Sequence, residues 1–190
     1  VALNSNMPVF YTEGLKNEAE YLATRVENIL GNKPETTTQK PSGTRYISLQ
    51  TNGKLSVNGK QKEAYRLNTG QNIEITGNDQ AGVFYGIQSL LALIPSKAYK
   101  SNPSKTSIEA LTIEDAPRFH YRGLHIDVAR NFQTKEEIFK MLDLMASYKL
   151  NVLQVVLTED EGWRLEIEAL PELTEVGSKR GHTLEEKEHL

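Results

Sequence analysis

Between Leu124 and Leu157 the chain reads strand, helix, strand, and only Lys149-Leu150-Asn151 joins the helix to the second strand. Leu124-His125-Ile126-Asp127-Val128 is a short apolar run interrupted by polar residues, and Val152 to Leu157 is a second apolar run. Thr134 to Lys149 carries the helical period, with Ile138, Met141, Leu142 and Met145 as the expected buried face and Thr134 with Glu137 as a capping box. Strands joined through a helix lie parallel, and strands this apolar need neighbours on both edges. A complete (β/α)₈ barrel takes about 250 residues, whereas the chain has 190. Residues 115–190 therefore read as the opening of a larger parallel sheet or barrel that this chain does not finish.

The residues before this unit have a different pattern. Leu15, Ala19, Leu22, Val26 and Ile29 recur at helical spacing, which predicts a helix from about Thr12 to Leu30 stopped by Gly31. Short strands are predicted at 46–49, 64–67, 73–76 and 108–113, with Asn52-Gly53 and Asn58-Gly59 as turn signals between the first two. A second helix is marked by Val83, Phe84, Ile87, Leu90, Leu91 and Ile94, with Asn78 or Asp79 as N-cap and Pro95 as terminator. Gly82 and Gly86 inside it read as packing positions and not as a phosphate loop. Residues 1–114 thus form a small α/β domain, and Asp115-Ala116-Pro117-Arg118 breaks the pattern before the second domain at 115–190.

Composition removes several function classes. With 22 Lys and Arg against 25 Asp and Glu, the net charge of -3 offers no basic field for phosphate backbones, so nucleic acid is not an expected partner. No apolar run approaches the roughly 20 residues that span a bilayer. The absence of cysteine removes disulfides, thiolate nucleophiles and Cys-ligated zinc, and leaves the compartment open. The chain opens Val1-Ala2-Leu3-Asn4 without an initiator Met, which reads as a processed protein or a cut piece of a longer one.

In a strand-helix-strand unit, functional groups gather at the carboxyl ends of the strands. The first strand runs into Asp127-Val128-Ala129-Arg130, the second into Thr158-Glu159-Asp160-Glu161-Gly162-Trp163-Arg164. These groups suit a polyhydroxylated ligand: Arg130 offers planar donors to vicinal hydroxyls, Asp160 accepts from hydroxyls or fixes the Arg, and Trp163 supplies an apolar face. The competing reading makes Asp127, Arg130 and Asp160 a structural ion-pair network with Trp163 filling core. His120 and His125 flank a strand and are read as satisfied structural histidines. His182 and His189, with Glu185, Glu186 and Glu188, match no standard metal spacing, and a solvated helix start after Thr183 is preferred. No metal or cofactor is expected, and no HExxH, P-loop or GxSxG motif occurs.

Three ordered stretches carry a resemblance: Pro117-Arg118-Phe119-His120-Tyr121-Arg122-Gly123-Leu124-His125-Ile126-Asp127-Val128-Ala129-Arg130, Tyr148-Lys149-Leu150-Asn151-Val152-Leu153, and Leu157-Thr158-Glu159-Asp160-Glu161-Gly162-Trp163-Arg164. Together they resemble the start of the catalytic domain of β-N-acetylhexosaminidases of glycoside hydrolase family 20. Residues 1 to about 113, including Ala81 to Leu90, resemble the small α/β domain that precedes that barrel. The implied fold class is α/β: a small α+β domain, with a mixed or antiparallel sheet and two helices, followed by the first β-α-β portion of a truncated (β/α)₈ TIM barrel.

The resemblance implies a retaining exo-hydrolase acting on glycans that end in N-acetylglucosamine or N-acetylgalactosamine, in which the sugar's acetamido oxygen attacks the anomeric carbon. An Asp orients that group and the neighbouring Glu protonates the leaving oxygen. That pair sits on a later barrel strand, so no catalytic residue is expected in this chain. Carried over, Arg130 and Asp160 bind substrate, with Arg130 on hydroxyls of the terminal sugar, while Asp127, Glu159 and Trp163 support the site. Two departures stand out. Gln154 and Val156 occupy positions where the family usually has histidines, and Glu159 and Glu161 stand where Asp and Gln are usual. A non-catalytic glycan-binding module and another barrel glycosidase, of the O-GlcNAcase or α-glucuronidase kind, are the alternatives. The unfinished strands imply self-association of the chain alone, and the family association favours a bacterial periplasmic or extracellular setting.

Overall fold

The computed structural model describes Val1–Lys179, and the chain divides into two compact units, Val1–His120 and Tyr121–Leu190. The His182, Glu185, Glu186, Glu188 and His189 group and the helix start after Thr183 lie outside the described residues.

The first unit runs β1 (Ala2–Asn4), β2 (Val9–Tyr11), α1 (Lys16–Leu30), β3 (Thr36–Thr37), β4 (Ile47–Thr51), β5 (Tyr65–Thr69), β6 (Ile73–Gly77), α2 (Gln80–Ala92), α3 (Ser96–Ser101), β7 (Lys105–Ser107) and β8 (Thr112–Asp115). Six strands form one mixed sheet in the order β3-β2-β4-β6-β5-β8. The ladders from β3 to β6 are parallel and those joining β6, β5 and β8 are antiparallel. Strand alternation decides the layers: Tyr65, Leu67 and Thr69 of β5 are buried while Arg66 and Asn68 are exposed. The buried sides of β4, β5 and β6 meet Leu22 and Val26 of α1 and Ile87 and Leu90 of α2 in one core.

Several local readings change here. The first helix begins at Lys16 and not at Thr12, because Thr12 N–H donates to Leu49 O at 3.1 Å as an extension of the sheet and Gly14 sits at φ 85. Asn58 and Gly59, at φ 51 and 78, make a local turn closed by the Val57–Lys60 pair, but β4 and β5 are not neighbours, since β6 lies between them. Of the strand expected at 108–113 only Thr112 and Ile113 lie in a strand, β8 of the main sheet, while residues 108–111 connect it to β7, which pairs with β1 in a separate two-stranded sheet. Ile108 marks the crossing, its N–H donating to Val1 O at 2.9 Å. The polar stretch after Pro95 contains α3, so this unit has three helices and not two.

Asp79 is the N-cap of α2. Its Oδ1 accepts from Gly82 N at 2.8 Å and its Oδ2 from Glu63 N at 2.9 Å, which ties the helix start to the chain entering β5. Gly82 packs so closely on Ala64 O that a Cβ would overlap it, and a Cβ on Gly86 would come within 2.5 Å of Ile75 Cγ2. The two glycines are helix-to-sheet contacts.

The second unit runs β9 (Gly123–Asp127), α4 (Lys135–Ser147), β10 (Val152–Val156), β11 (Thr158–Glu159), β12 (Gly162–Trp163) and α5 (Glu172–Glu175). β9 and β10 pair in parallel with Leu124 opposite Leu153 and Asp127 opposite Val156, and β11 and β12 form an antiparallel hairpin. Thr134 Oγ1 accepts from Glu137 N at 3.2 Å, but the Glu137 carboxylate turns to Lys140 Nζ at 3.4 Å, so the box is closed from one side. Within α4 only Met145 is buried; Leu142 is 42% exposed, because two strands offer the helix too narrow a surface to cover all four expected positions. His125 pairs in register with Gln154 and both are exposed, as is His120, so neither histidine is a core residue. Among the described residues no helix is long and apolar enough to cross a membrane.

Candidate functional site

Parallel pairing sets the ends of β9 and β10 side by side, and Val128 N–H donating to Val156 O at 3.1 Å carries the pairing one step past the strand. There the Asp127-Val128-Ala129-Arg130 sequence folds back on itself. Asp127 Oδ1 accepts from the backbone N–H of Ala129 at 3.0 Å and of Arg130 at 2.9 Å, the turn that a short carboxylate side chain favours. Its Oδ2 accepts from Arg130 Nη1 at 2.6 Å. Glu159, arriving on β11, meets Arg130 Nη2 at 3.1 Å. Arg130 is thus clasped on both terminal nitrogens, yet its side chain remains 49% exposed. A planar guanidinium oriented by two carboxylates and open to solvent can direct donors to adjacent hydroxyls.

Asp160 stands exposed at the tip of the β11–β12 hairpin. Its charge reaches Arg130 through space, whereas Glu159 makes the direct contact. The structural network expected from Asp127, Arg130 and Asp160 therefore has Glu159 as its third direct member, because β11 ends at Glu159 and Asp160 already belongs to the turn. Trp163 is half-buried, with its N–H on Gly177 O at 2.8 Å and its indole N–H on Leu165 O. It anchors the hairpin.

One residue of this region has no role assigned from sequence. Arg164 donates from Nε to Val128 O at 3.0 Å, from Nη2 to Ala129 O at 3.2 Å and from Nη1 to Ser178 O at 2.5 Å. Its position directly after a buried glycine and Trp163 is the available signal. Gly162 is buried, and a Cβ there would come within 2.5 Å of Ala129 O.

The electrostatics follow the geometry. The Arg130 backbone N–H, and next its guanidinium, hold the Asp127 carboxyl below its ordinary value of 3.8. Reciprocally, the Asp127 side chain and then the Glu159 charge push Arg130 upward. A carboxyl lowered in the folded state adds stability that is complete above its unfolded value and is lost as pH falls through the folded one. The expected result is a carbon NMR titration of Asp127 with a midpoint below 3.8 and a simultaneous shift of the Arg130 amide. A midpoint at or above that value would contradict the clasp.

Two family models match the chain in succession. The one described as "Glycosyl hydrolase family 20, domain 2" covers residues 1–116, and "Glycosyl hydrolase family 20, catalytic domain" covers residues 119–190. The chain belongs to glycosyl hydrolase family 20. Among curated relatives of this family-20 chain, a beta-hexosaminidase of Vibrio vulnificus is 48% identical over 128 residues, 67% of this chain and 14% of the relative. An N,N'-diacetylchitobiase of Vibrio harveyi is 48% identical over 135 residues, 71% of this chain and 14% of the relative. The solved exo beta-N-acetylglucosaminidase from Vibrio harveyi in complex with N-acetylglucosamine aligns with a TM-score of 0.79 at 28% identity, covering 96% of this chain and 28% of that one. The family-20 chain therefore spans less than a third of the length of each of these three proteins.

Proposed function

We propose that this chain supplies the small α/β domain, residues 1–114, and the opening of the barrel, residues 115–190, of a retaining exo-β-N-acetylhexosaminidase. The enzyme removes terminal β-linked N-acetylglucosamine or N-acetylgalactosamine by substrate-assisted catalysis, with the Asp-Glu pair on a barrel strand beyond this chain. Arg130 donates to hydroxyls of the terminal sugar, Asp127 and Glu159 orient it, Asp160 accepts from the ligand, and Trp163 supports the hairpin. The observation that carries this reading is the half-exposed guanidinium clasped at the carboxyl ends of two parallel strands. The N-acetylglucosamine bound by the Vibrio harveyi structure supports the substrate class.

The test is an assay of the 190-residue chain and of the whole gene product on an aryl N-acetyl-β-glucosaminide. Release of the aryl group by the whole product alone is expected, and turnover by the shorter chain would overturn the assignment of the carboxylate pair. Binding of the glycan by the whole product without turnover would favour a binding module. The same reading makes the chain alone self-associate, since β9 and β10 pair only with each other among the described residues and Phe132, Phe139 and Tyr148 are 61%, 53% and 72% exposed. Sedimentation as a concentration-independent monomer would refute that part.

A further inference from the structure

Val128 and Ala129, the two residues before Arg130, are both buried. Buried peptide carbonyls need donors, and past the end of a strand ladder they must find them elsewhere. Here one side chain meets both. The Arg164 guanidinium takes Val128 O at 3.0 Å and Ala129 O at 3.2 Å, and its third nitrogen takes Ser178 O. Its Cζ also lies over the Phe132 ring, 5.2 Å from the centroid, on the far side of Arg130 in sequence. The Arg164 backbone is itself fixed, its N–H donating to Leu157 O at 2.7 Å. Gly162, two residues earlier, brings the hairpin into contact with Ala129 O.

From these contacts we infer that Arg164 is a positioning residue for Arg130. Asp127 holds the Arg130 amide and one end of its guanidinium, while Arg164 holds the carbonyls of the two preceding peptides. Neither set alone defines the direction in which the Arg130 side chain leaves the loop. The two carbonyls and Ser178 O converge on a planar fork, a geometry that the single ammonium of lysine does not reproduce. Charge at this position is consequently not sufficient. The inference rests on the proposal that Arg130 binds the terminal sugar, because its kinetic consequence passes through that contact.

Sugar hydroxyls that do not react are bound alike in ground and transition states, so loosening Arg130 raises KM more than it lowers kcat. In the whole gene product, Arg164→Ala is expected to raise KM on an aryl N-acetyl-β-glucosaminide by about 10-fold with kcat within about 3-fold, and Arg164→Lys to recover little of it. In an Arg130→Ala background, Arg164→Ala should add almost nothing, since two residues acting through one contact are strongly non-additive. An equal multiplicative effect in both backgrounds, or full recovery by Arg164→Lys, would overturn the inference while leaving the role of Arg130 intact. An Arg130→Ala enzyme with unchanged KM would instead refute sugar binding by Arg130. Hydrogen exchange of the whole gene product then decides the positioning role independently. Arg164→Ala and Arg164→Lys should both speed exchange at the Ala129 and Arg130 amides without altering β5 and β6, and unchanged exchange at those two amides in either variant overturns it.

Discussion

Arg130→Ala is expected to lower kcat/KM of the whole gene product on aryl N-acetyl-β-glucosaminides by about 10²-fold, nearly all of it in KM. The size follows from the bonds removed. A hydrogen bond to a charged group contributes about 1.5–3 kcal/mol, and one such bond to a sugar hydroxyl, lost without replacement, accounts for roughly a 10- to 100-fold change. The substitution also leaves Asp127 and Glu159 facing the same site without the cation that joins them. Asp127 should then titrate closer to its ordinary value, because the guanidinium that helps hold it down is gone. Arg130→Lys restores charge but not two-ended contact, and should remain well below the parent. Michaelis kinetics within about 3-fold of the parent for both variants would remove Arg130 from the binding site.

Gly82→Val should destabilise the first unit by about 3 kcal/mol, through overpacking and the loss of a backbone hydrogen bond. The Cβ would overlap Ala64 O, the same oxygen that accepts from Asn78 N–H at 2.8 Å. Moving α2 outward to make room would draw Val83, Ile87 and Leu90 away from β5 and β6, so the strain has no inexpensive outlet. Urea unfolding followed by amide protection in those two strands measures the loss. A change below about 1 kcal/mol would mean that the helix start shifts freely, contrary to its fixation by Asp79.

What could be read from the sequence depended on how local its cause was. The α2 cap at Asn78 or Asp79, of which Asp79 is the one used, the Gly31 stop and the strand expected at 64–67, found at Tyr65–Thr69, each follow from neighbours a few residues away. The position of β6 between β4 and β5 does not, because a parallel ladder is set by pairing across the chain and leaves no turn signal. β1 and β2 were invisible for a related reason: three residues are too few to establish a period. At the site, the short Asp127-to-Arg130 spacing made their contact legible. Glu159 replaced Asp160 as direct partner through the register of a two-residue strand. Arg164 acts on main-chain oxygens more than 30 positions away, and such oxygens are common to every residue type.

The mixed sheet of the first unit has a temporal consequence. Its last strand, β8, ends at Asp115, and every residue of its apolar core precedes that point. During N-to-C synthesis this unit can therefore close its core before β9 has been translated, since domains generally fold as units while the chain is made. The parallel ladders make that folding slower than a helical bundle's, since β4 must await β6. The loop that carries Arg130 and the hairpin that carries Glu159 thus join a nascent chain in which the first unit is already able to hold its native form.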